Sequence, residues 1–284
     1  MKTISRIPVL IFSAALLSLL AMCNDEGEIP GAFQGTYDVG GYALYMSGVG
    51  ENGPVVVLES GIGDGGTMSG WETVMNGVKD FARICLYDRA GLGKSEKAPG
   101  VRSTEQIADE LHALLEAAPV NGPYILVGHS LGGLHIQTYA DRYPDEAVGM
   151  VFVDPTPKAV VDTLSDEQLD NLKKAGASEA VLAEAGPGLN ASIPFFRTLP
   201  RLADVPVVVI TSSFTGEGEV DRERYEQLRN AHETLSEEVA DGCHVVATKS
   251  GHYIQMDEPE LVIEAIRNVY NKVAESVRRT PGSM

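Results

Sequence analysis

Tyr124-Ile-Leu-Val-Gly128-His129-Ser130-Leu131-Gly132-Gly133 decides how this chain is read. Four apolar residues run into Gly-x-Ser-x-Gly, and a helical pattern begins at once with Leu134, Ile136, Gln137, Tyr139 and Ala140. A buried strand, a sharp turn carrying a serine, and a helix are expected in that order. A strand that turns directly into a helix crowds its own backbone, so Gly128 and Gly132 stand where a Cβ would clash. The turn lifts the Ser130 hydroxyl over the sheet edge. It also aims a helix N-terminus, with free N–H groups and the positive end of its dipole, at whatever reacts there. The bland alternative is a glycine-rich turn with a bystander serine; the strand before it and the helix after it are the context that favours the motif.

Working outward, Pro54–Glu59 is a short, continuously apolar strand of the kind buried on both faces in a parallel sheet. It runs into Ser60-Gly61-Ile62-Gly63-Asp64-Gly65-Gly66, followed by a helical segment from Trp71 to Val78 and a strand from Ala82 to Tyr87. Two earlier strands are expected between Thr36 and Gly50, with Gly40-Gly41 as their hairpin turn. Thr104 to Ala118 is an amphipathic helix with Ile107, Leu111, Leu114 and Leu115 on one face. Beyond the serine unit come a strand from Val148 to Val153 ending at Asp154-Pro155, a strand from Val205 to Ile210, and a helix from Asp221 to Leu235. A last strand from His244 to Thr248, a Ser250-Gly251-His252 loop and an amphipathic helix from Glu258 to about Val277 complete the chain. Strands alternating with helices mean an α/β layered fold with a mostly parallel sheet, and there is no internal repeat. Residues 157–201 differ in being helical, polar and acidic, and Pro187-Gly188, Pro194 and Pro200 are expected to break them up. They read as a small helical cap inserted into a core of residues 36–156 and 202–278. Its apolar residues Val160, Val161, Leu164, Leu182, Phe195 and Phe196 either line an acyl pocket or pack on the sheet, and packing suits most of them.

A length of 284 residues suits one large domain or two small ones. Lys2 and Arg6 precede an apolar run from Ile7 to Met22, which reads as a secretory signal peptide over residues 1–22. The run is somewhat short for a membrane span of about 20 apolar residues. Cys23 follows Leu20-Ala21-Met22, which resembles the bacterial lipobox except that Met22 is not small, so lipidation at Cys23 and ordinary cleavage nearby both stand. Residues 23–35 read as an acidic, glycine-containing linker. An exported protein is expected: periplasmic, extracellular or lipid-anchored to a bacterial envelope. The formal charge of −18 becomes about −20 without Lys2 and Arg6, which opposes binding to nucleic acid and to anionic membrane surfaces. Any membrane contact would pass through a lipid anchor at Cys23. Cys85 and Cys243 fall on non-neighbouring strands, so free thiols are expected rather than a disulfide.

Three motifs compete for the chemistry. Gly61-x-Gly63-x-x-Gly66 with Asp88 at the end of the next strand fits a dinucleotide fingerprint by spacing, but it follows two earlier strands instead of opening the fold. Gly93-Lys94-Ser95 lacks the first glycine of a phosphate loop and has Asp88 there, an acid that would repel phosphate. The third reading is acyl transfer. A serine needs an adjacent base, and a histidine is the usual one. Of the six histidines, His112, His135 and His232 lie on helices, His129 is inside the serine turn and His244 starts a strand. His252 alone occupies a glycine-flanked loop at the sheet edge where the Ser130 turn opens. The acid that would orient it is Asp154 at the end of the strand after the serine unit, with Asp221, Glu217 and Glu219 as alternatives. The oxyanion needs preorganised N–H donors, for which Leu131, after the nucleophile, and Ile62, in the loop after the Pro54–Glu59 strand, are the candidates.

Together these residues resemble the α/β-hydrolase superfamily from about Thr36 to Val277. The resemblance is carried by Ser60-Gly61-Ile62-Gly63, by Tyr87-Asp88-Arg89-Ala90-Gly91-Leu92-Gly93-Lys94-Ser95, by Gly128-His129-Ser130-Leu131-Gly132-Gly133 and by Ser250-Gly251-His252. It implies an eight-stranded, mostly parallel sheet with a helical cap, no cofactor, and a small acyl or ester substrate. Two departures stand out. Ser60 occupies a position where many members have His, and Thr211-Ser-Ser-Phe-Thr-Gly216 has no acid where the superfamily most often places it. Members lacking that acid can supply it from the preceding strand, which favours Asp154. The expectation is a carboxylic ester hydrolase, with amide, peptide or carbon–carbon bond cleavage, or a non-catalytic binding protein, as the other outcomes open to this fold.

Overall fold

A computed structural model describes residues 29–159, 161–202, 204–213 and 219–279. The signal segment, Cys23, most of the linker, Val160 and Glu217 lie outside them, as do the side chains of Glu219 and Asp221. In chain order come β1 (Phe33–Asp38), β2 (Ala43–Val49), β3 (Val55–Glu59), α1 (Glu72–Val78), β4 (Ile84–Tyr87), α2 (Thr104–Ala117), β5 (Tyr124–His129), α3 (Gly132–Arg142) and β6 (Ala147–Val153). They are followed by α4 (Asp166–Lys174), α5 (Glu179–Ala183), α6 (Leu189–Phe196), β7 (Val207–Thr211), α7 (Glu219–Ser236), β8 (Gly242–Val246), α8 (Ile254–Asp257) and α9 (Pro259–Arg279). The eight strands form one sheet in the order β1-β2-β4-β3-β5-β6-β7-β8. The pairs β1/β2 and β2/β4 are antiparallel and the remaining five are parallel.

The strict alternation of the central strands divides the core in two. Val55, Val57, Leu126, Met150, Phe152, Val207 and Val209 face α2 and α3, where Leu111, Leu114, Ile136 and Tyr139 cover them. Val56, Leu58, Ile125, Val127, Val151, Val153, Val208 and Ile210 face the other way, onto Val74 and Val78 of α1 and Val262, Ile266 and Val269 of α9. Both faces are apolar because helices cover both, as a parallel sheet requires. Cys85 on β4 and Cys243 on β8 are free thiols on strands far apart in the sheet. Among the described residues no helix is long and apolar enough to cross a membrane.

Three local expectations need correction. β1 starts at Phe33, inside the stretch read as linker, because the Phe33 ring packs over Gly48 of β2 and under the Arg83 guanidinium. The last strand sits two residues earlier than its apolar pattern indicates, since β8 is an edge strand held mainly by its pairing to β7. Pro187 and Pro194 do not break the helices of residues 157–201, whereas Pro200 lies in irregular chain beyond the end of α6. Pro187 lies in a π-helical turn, Glu184–Gly188, and Pro194 lies inside α6, which follows without interruption. A wide turn has room for a ring that would clash in a regular α-helix.

The sheet presents Ser130 at the crossing of β5 and α3. A Cβ on Gly128 would lie 2.6 Å from Gly132 O and 2.8 Å from Gly133 N, and one on Gly132 would lie 2.7 Å from both Glu59 O and Ser60 O. All these neighbours are backbone and cannot step aside. Gly128→Ala should therefore lower folding stability by about 3 kcal/mol, the upper range for an overpacked site, measured as a lower urea midpoint with unchanged slope.

Candidate active site

Ser130 ends β5 with φ 53°, and Asp154 ends β6 with φ 45°. Among the described residues these are the only two non-glycine residues in the left-handed region. Such a conformation costs about 1–3 kcal/mol and persists only where the surroundings fix it. Here each fixes the other's loop. Ser130 N–H donates to Val153 O at 3.1 Å, and Thr156 N–H donates to Ser130 O at 3.0 Å, so the serine backbone is tied on both sides of Asp154. Asp154 N–H donates to Ile210 O at 2.8 Å, extending the register of β6 on β7.

The Asp154 carboxylate is buried. Its Oδ1 accepts from Ser212 N–H at 2.8 Å, and its Oδ2 accepts from Ser212 Oγ at 3.0 Å and from His252 Nδ1 at 2.7 Å. Burial works against its charge, but the hydrogen bonds from His252 and the Ser212 amide outweigh burial and hold the pKa below the ordinary carboxylate value. With Nδ1 donating, Nε2 of the half-exposed His252 ring is left as an acceptor. Ser130 Oγ makes no hydrogen bond among the described residues, so its proton is uncommitted to any fixed partner. The sequence reading thus finds Asp154 beside His252 and both at the serine turn. Asp221 lies in α7.

Both expected oxyanion donors are free. Neither Ile62 N–H nor Leu131 N–H donates a hydrogen bond within the described residues. Leu131 caps the N-terminus of α3. Around them Leu131, Leu134, Val161, Leu189, Ile193, Phe196 and Leu199 form a third apolar cluster, with Ile62, Leu164 and Phe195 partly buried against it. Val161 and Phe196 are therefore buried in packing, as expected for most of the apolar residues of 157–201, and Leu164 and Phe195 lie at the margin of the cluster.

Several functional neighbours escaped the sequence reading. His129 Nε2–H donates to His252 O at 2.9 Å, and the two rings lie 4.7 Å apart. Its Nδ1 is buried without a partner, and burial, with the charge of a protonated His252, pushes its pKa down to about 4. His232, expected on a helix, is wholly buried. Its Nε2–H donates to Pro155 O at 2.6 Å, so its Nδ1 accepts from the Thr211 hydroxyl at 2.8 Å, which in turn accepts from His244 Nε2–H at 2.7 Å. Burial lowers the pKa of His232 as well. The largest omission is Arg89, buried between Glu59 and Glu184 and bonded to the carbonyls of Ser60 and Gly61. A charge ending the continuously apolar β3, Glu59, was the available signal for it. Asp88 serves its own loop, accepting from the amides of Thr67 and Lys94 at 3.0 and 2.8 Å; neither the dinucleotide reading nor the phosphate reading finds a use for it. Among the described residues no group of three or more His, Cys, Asp or Glu side chains is placed to hold a metal ion.

A parallel sheet with a strained serine turn at its C-terminal edge defines a class of hydrolase-fold proteins. Residues 54–204, more than half of the chain, match the family described as alpha/beta hydrolase fold, and the chain belongs to it. The Bacillus subtilis protein YqjL is 29% identical over 238 residues, which are 83% of this chain and 91% of that protein. A Gibberella zeae protein named as a member of the AB hydrolase superfamily is 25% identical over 282 residues, 78% of this chain and 87% of its own. Other relatives are much longer proteins, of which the chain spans 16–18%. Among solved structures, a thermophilic esterase from Thermogutta terrifontis superposes with a TM-score of 0.62 at 21% identity, over 85% of this chain and 99% of that one. That likeness is one of fold.

The buried neutral histidine makes a measurable claim. His129 ionises near its ordinary 6.5 when unfolded and near 4 when folded, so between those values the unfolded chain binds the extra proton and stability rises with pH. Stability should fall as pH drops from 6.5 toward 4, with His129 contributing up to about 3 kcal/mol of that fall. Urea titrations at pH 7 and pH 4.5 should show a shallower acid loss in His129→Gln than in wild type.

Proposed function

We propose that the chain is a serine hydrolase of carboxylic esters acting through an acyl-enzyme. The observation that carries the reading is the Asp154–His252 hydrogen bond at a turn where Ser130 and Asp154 are the two strained residues. The esterase among the similar structures supports an ester as the scissile group. In this reading Ser130 Oγ attacks the ester carbonyl carbon while His252 Nε2 takes its proton. Leu131 N–H and Ile62 N–H hold the oxygen on which negative charge develops. The imidazolium, steadied by ionised Asp154, then protonates the departing alcohol. Water enters, gives its proton to His252 and attacks the acyl carbon, and collapse returns Ser130 and a carboxylic acid.

The same reading divides the chain into a core beginning at Phe33, a helical cap over residues 157–201 and a signal segment over residues 1–22. Export follows from that segment, with Cys23 as a lipid attachment point if cleavage leaves it first. Intact mass of the mature protein distinguishes a lipidated Cys23 from a free terminus.

Charge narrows the substrate. The point a Gly61 Cβ would occupy lies 3.3 Å from Ser130 Cβ and 3.5 Å from Asp64 Oδ2, so this carboxylate and the nucleophile are neighbours across one glycine. Asp64 has no salt-bridge partner among the described residues, and burial raises its pKa. A second anion at the scissile bond would meet it at a cost of about 1–2 kcal/mol. Neutral esters should outrun carboxylate-bearing half-esters roughly tenfold in kcat/KM, and Asp64→Asn should close most of that gap.

A fluorophosphonate probe should label wild type and fail to label Ser130→Ala. Asp154→Asn should lower ester turnover about 10³- to 10⁴-fold with the fold intact. Full activity in Asp154→Asn alongside a dead Asp221→Asn would move the acid to α7. A folded wild type that the probe leaves unlabelled would point to a binding member of the family.

A further inference from the structure

The loop carrying Ile62 is held from behind by one buried cation. Arg89 Nη1 donates to Ser60 O at 2.8 Å and Nη2 donates to Gly61 O at 2.6 Å. Nη1 also meets Glu59 at 2.5 Å, while Nε and Nη2 meet Glu184 at 3.2 and 2.7 Å. Tyr87 O–H takes the remaining oxygen of Glu59. A trans peptide sets its C=O and N–H on opposite sides. With the Gly61 carbonyl turned onto Arg89, the N–H of Ile62 must turn away from it, and that N–H has no acceptor among the described residues. The guanidinium therefore orients the donor without touching anything that reacts.

Glu184 belongs to the π-helical turn between β6 and β7, 95 residues from Arg89. Besides holding two nitrogens of Arg89, its Oε1 accepts from Gly63 N–H at 3.1 Å, closing the far end of the same loop. Nearby, the α5 side chains Val181 and Ala180 sit so close over Gly63 and Gly91 that a Cβ on either glycine would lie 2.8 Å from them. Stability does not account for this arrangement, since a buried ion triad is often matched or bettered by apolar residues of the same volume. What the triad does, and an apolar trio would not, is pin two carbonyls and an amide of one loop.

We propose that Glu184 is a positioning residue for the oxyanion site, acting through Arg89 and Gly63, so that the donor geometry of Ile62 depends on the docking of the helical insertion. The inference rests on the hydrolase reading of Ser130, Leu131 and Ile62. A substrate that seats the insertion sets its own oxyanion donors, and an unseated insertion leaves Glu59 as the one carboxylate holding Arg89 and leaves Gly63 N–H without its acceptor.

Two readouts on the full chain test this, one of them independent of turnover. In Glu184→Ala, kcat for a p-nitrophenyl ester should fall about 10- to 100-fold, with KM within about threefold of wild type, as expected for a contact made mainly in the transition state. Hydrogen exchange at Gly63 N–H should quicken at least about tenfold. Glu184→Gln, which keeps an acceptor oxygen and the volume, should restore both most of the way. Glu179→Ala, which cuts only the exposed pair of α5 with Lys97, should change neither. Unchanged kcat and unchanged exchange in Glu184→Ala overturn the proposal, as does an equal loss in Glu179→Ala. If wild type hydrolyses no ester while Glu184→Ala still frees the loop, the positioning stands and the hydrolase reading falls.

Discussion

A strand that runs straight into a helix leaves no space at the crossing, and this protein is arranged around that lack of space. The backbone of Gly132 lies against the carbonyls of Glu59 and Ser60, so β3, β5 and α3 meet with nothing between them. Ser130 is the residue that absorbs the turn, and it does so in a conformation that most side chains avoid. The strain is sustained because hydrogen bonds to Val153 O and from Thr156 N–H leave the serine nowhere to relax. The same bonds frame Asp154, whose own left-handed conformation turns its carboxylate toward His252. One steric constraint on five residues thereby fixes groups from three strand ends.

Around that point the protein sorts its ionisable groups. His129 and His232 are kept neutral by burial, and each spends its single N–H on a backbone carbonyl beside the site. Asp154 is kept charged by three donated hydrogen bonds despite its burial. Only His252, half-exposed, retains an unengaged ring nitrogen at the surface of the site. A neutral His129, its ring tilted 45° against His252 at 4.7 Å, brings no charge of its own to that side of the site.

The sheet was legible because its signals are local. Continuous apolar runs mark β3, β5, β6 and β7, and the turn chemistry of Gly128–Gly133 marks the crossing. Asp154 and His252 could be reached because strand ends in a parallel sheet share one edge. Phe33 was read as linker since one ring in a glycine-rich stretch makes no period; its partner Gly48 is visible only in the pairing. The Glu59–Arg89–Glu184 network joins positions 30 and 95 residues apart, and no spacing rule connects them. Glu184 in particular is one acid in an acidic segment, chosen only by where the π-helical turn carries it. Pro187 misled for a related reason: a breaking residue is judged against regular α-helix, and the turn that holds it is π-helical.

Thr211 ends β7 at the place where an acid would be looked for first, and it is buried and bonded to two histidines. Because Val153 pairs with Ile210, the residues that follow on the two strands stand side by side, about 4.8 Å apart by the spacing of any sheet. His252 Nδ1 meets the carboxylate at the end of β6. A charge moved from position 154 to position 211 would travel only one strand spacing and leave Ser130 and His252 where they are. In this chain position 211 is committed elsewhere, its hydroxyl wired to His232 and His244, so such a move would also cost the bond that anchors His232.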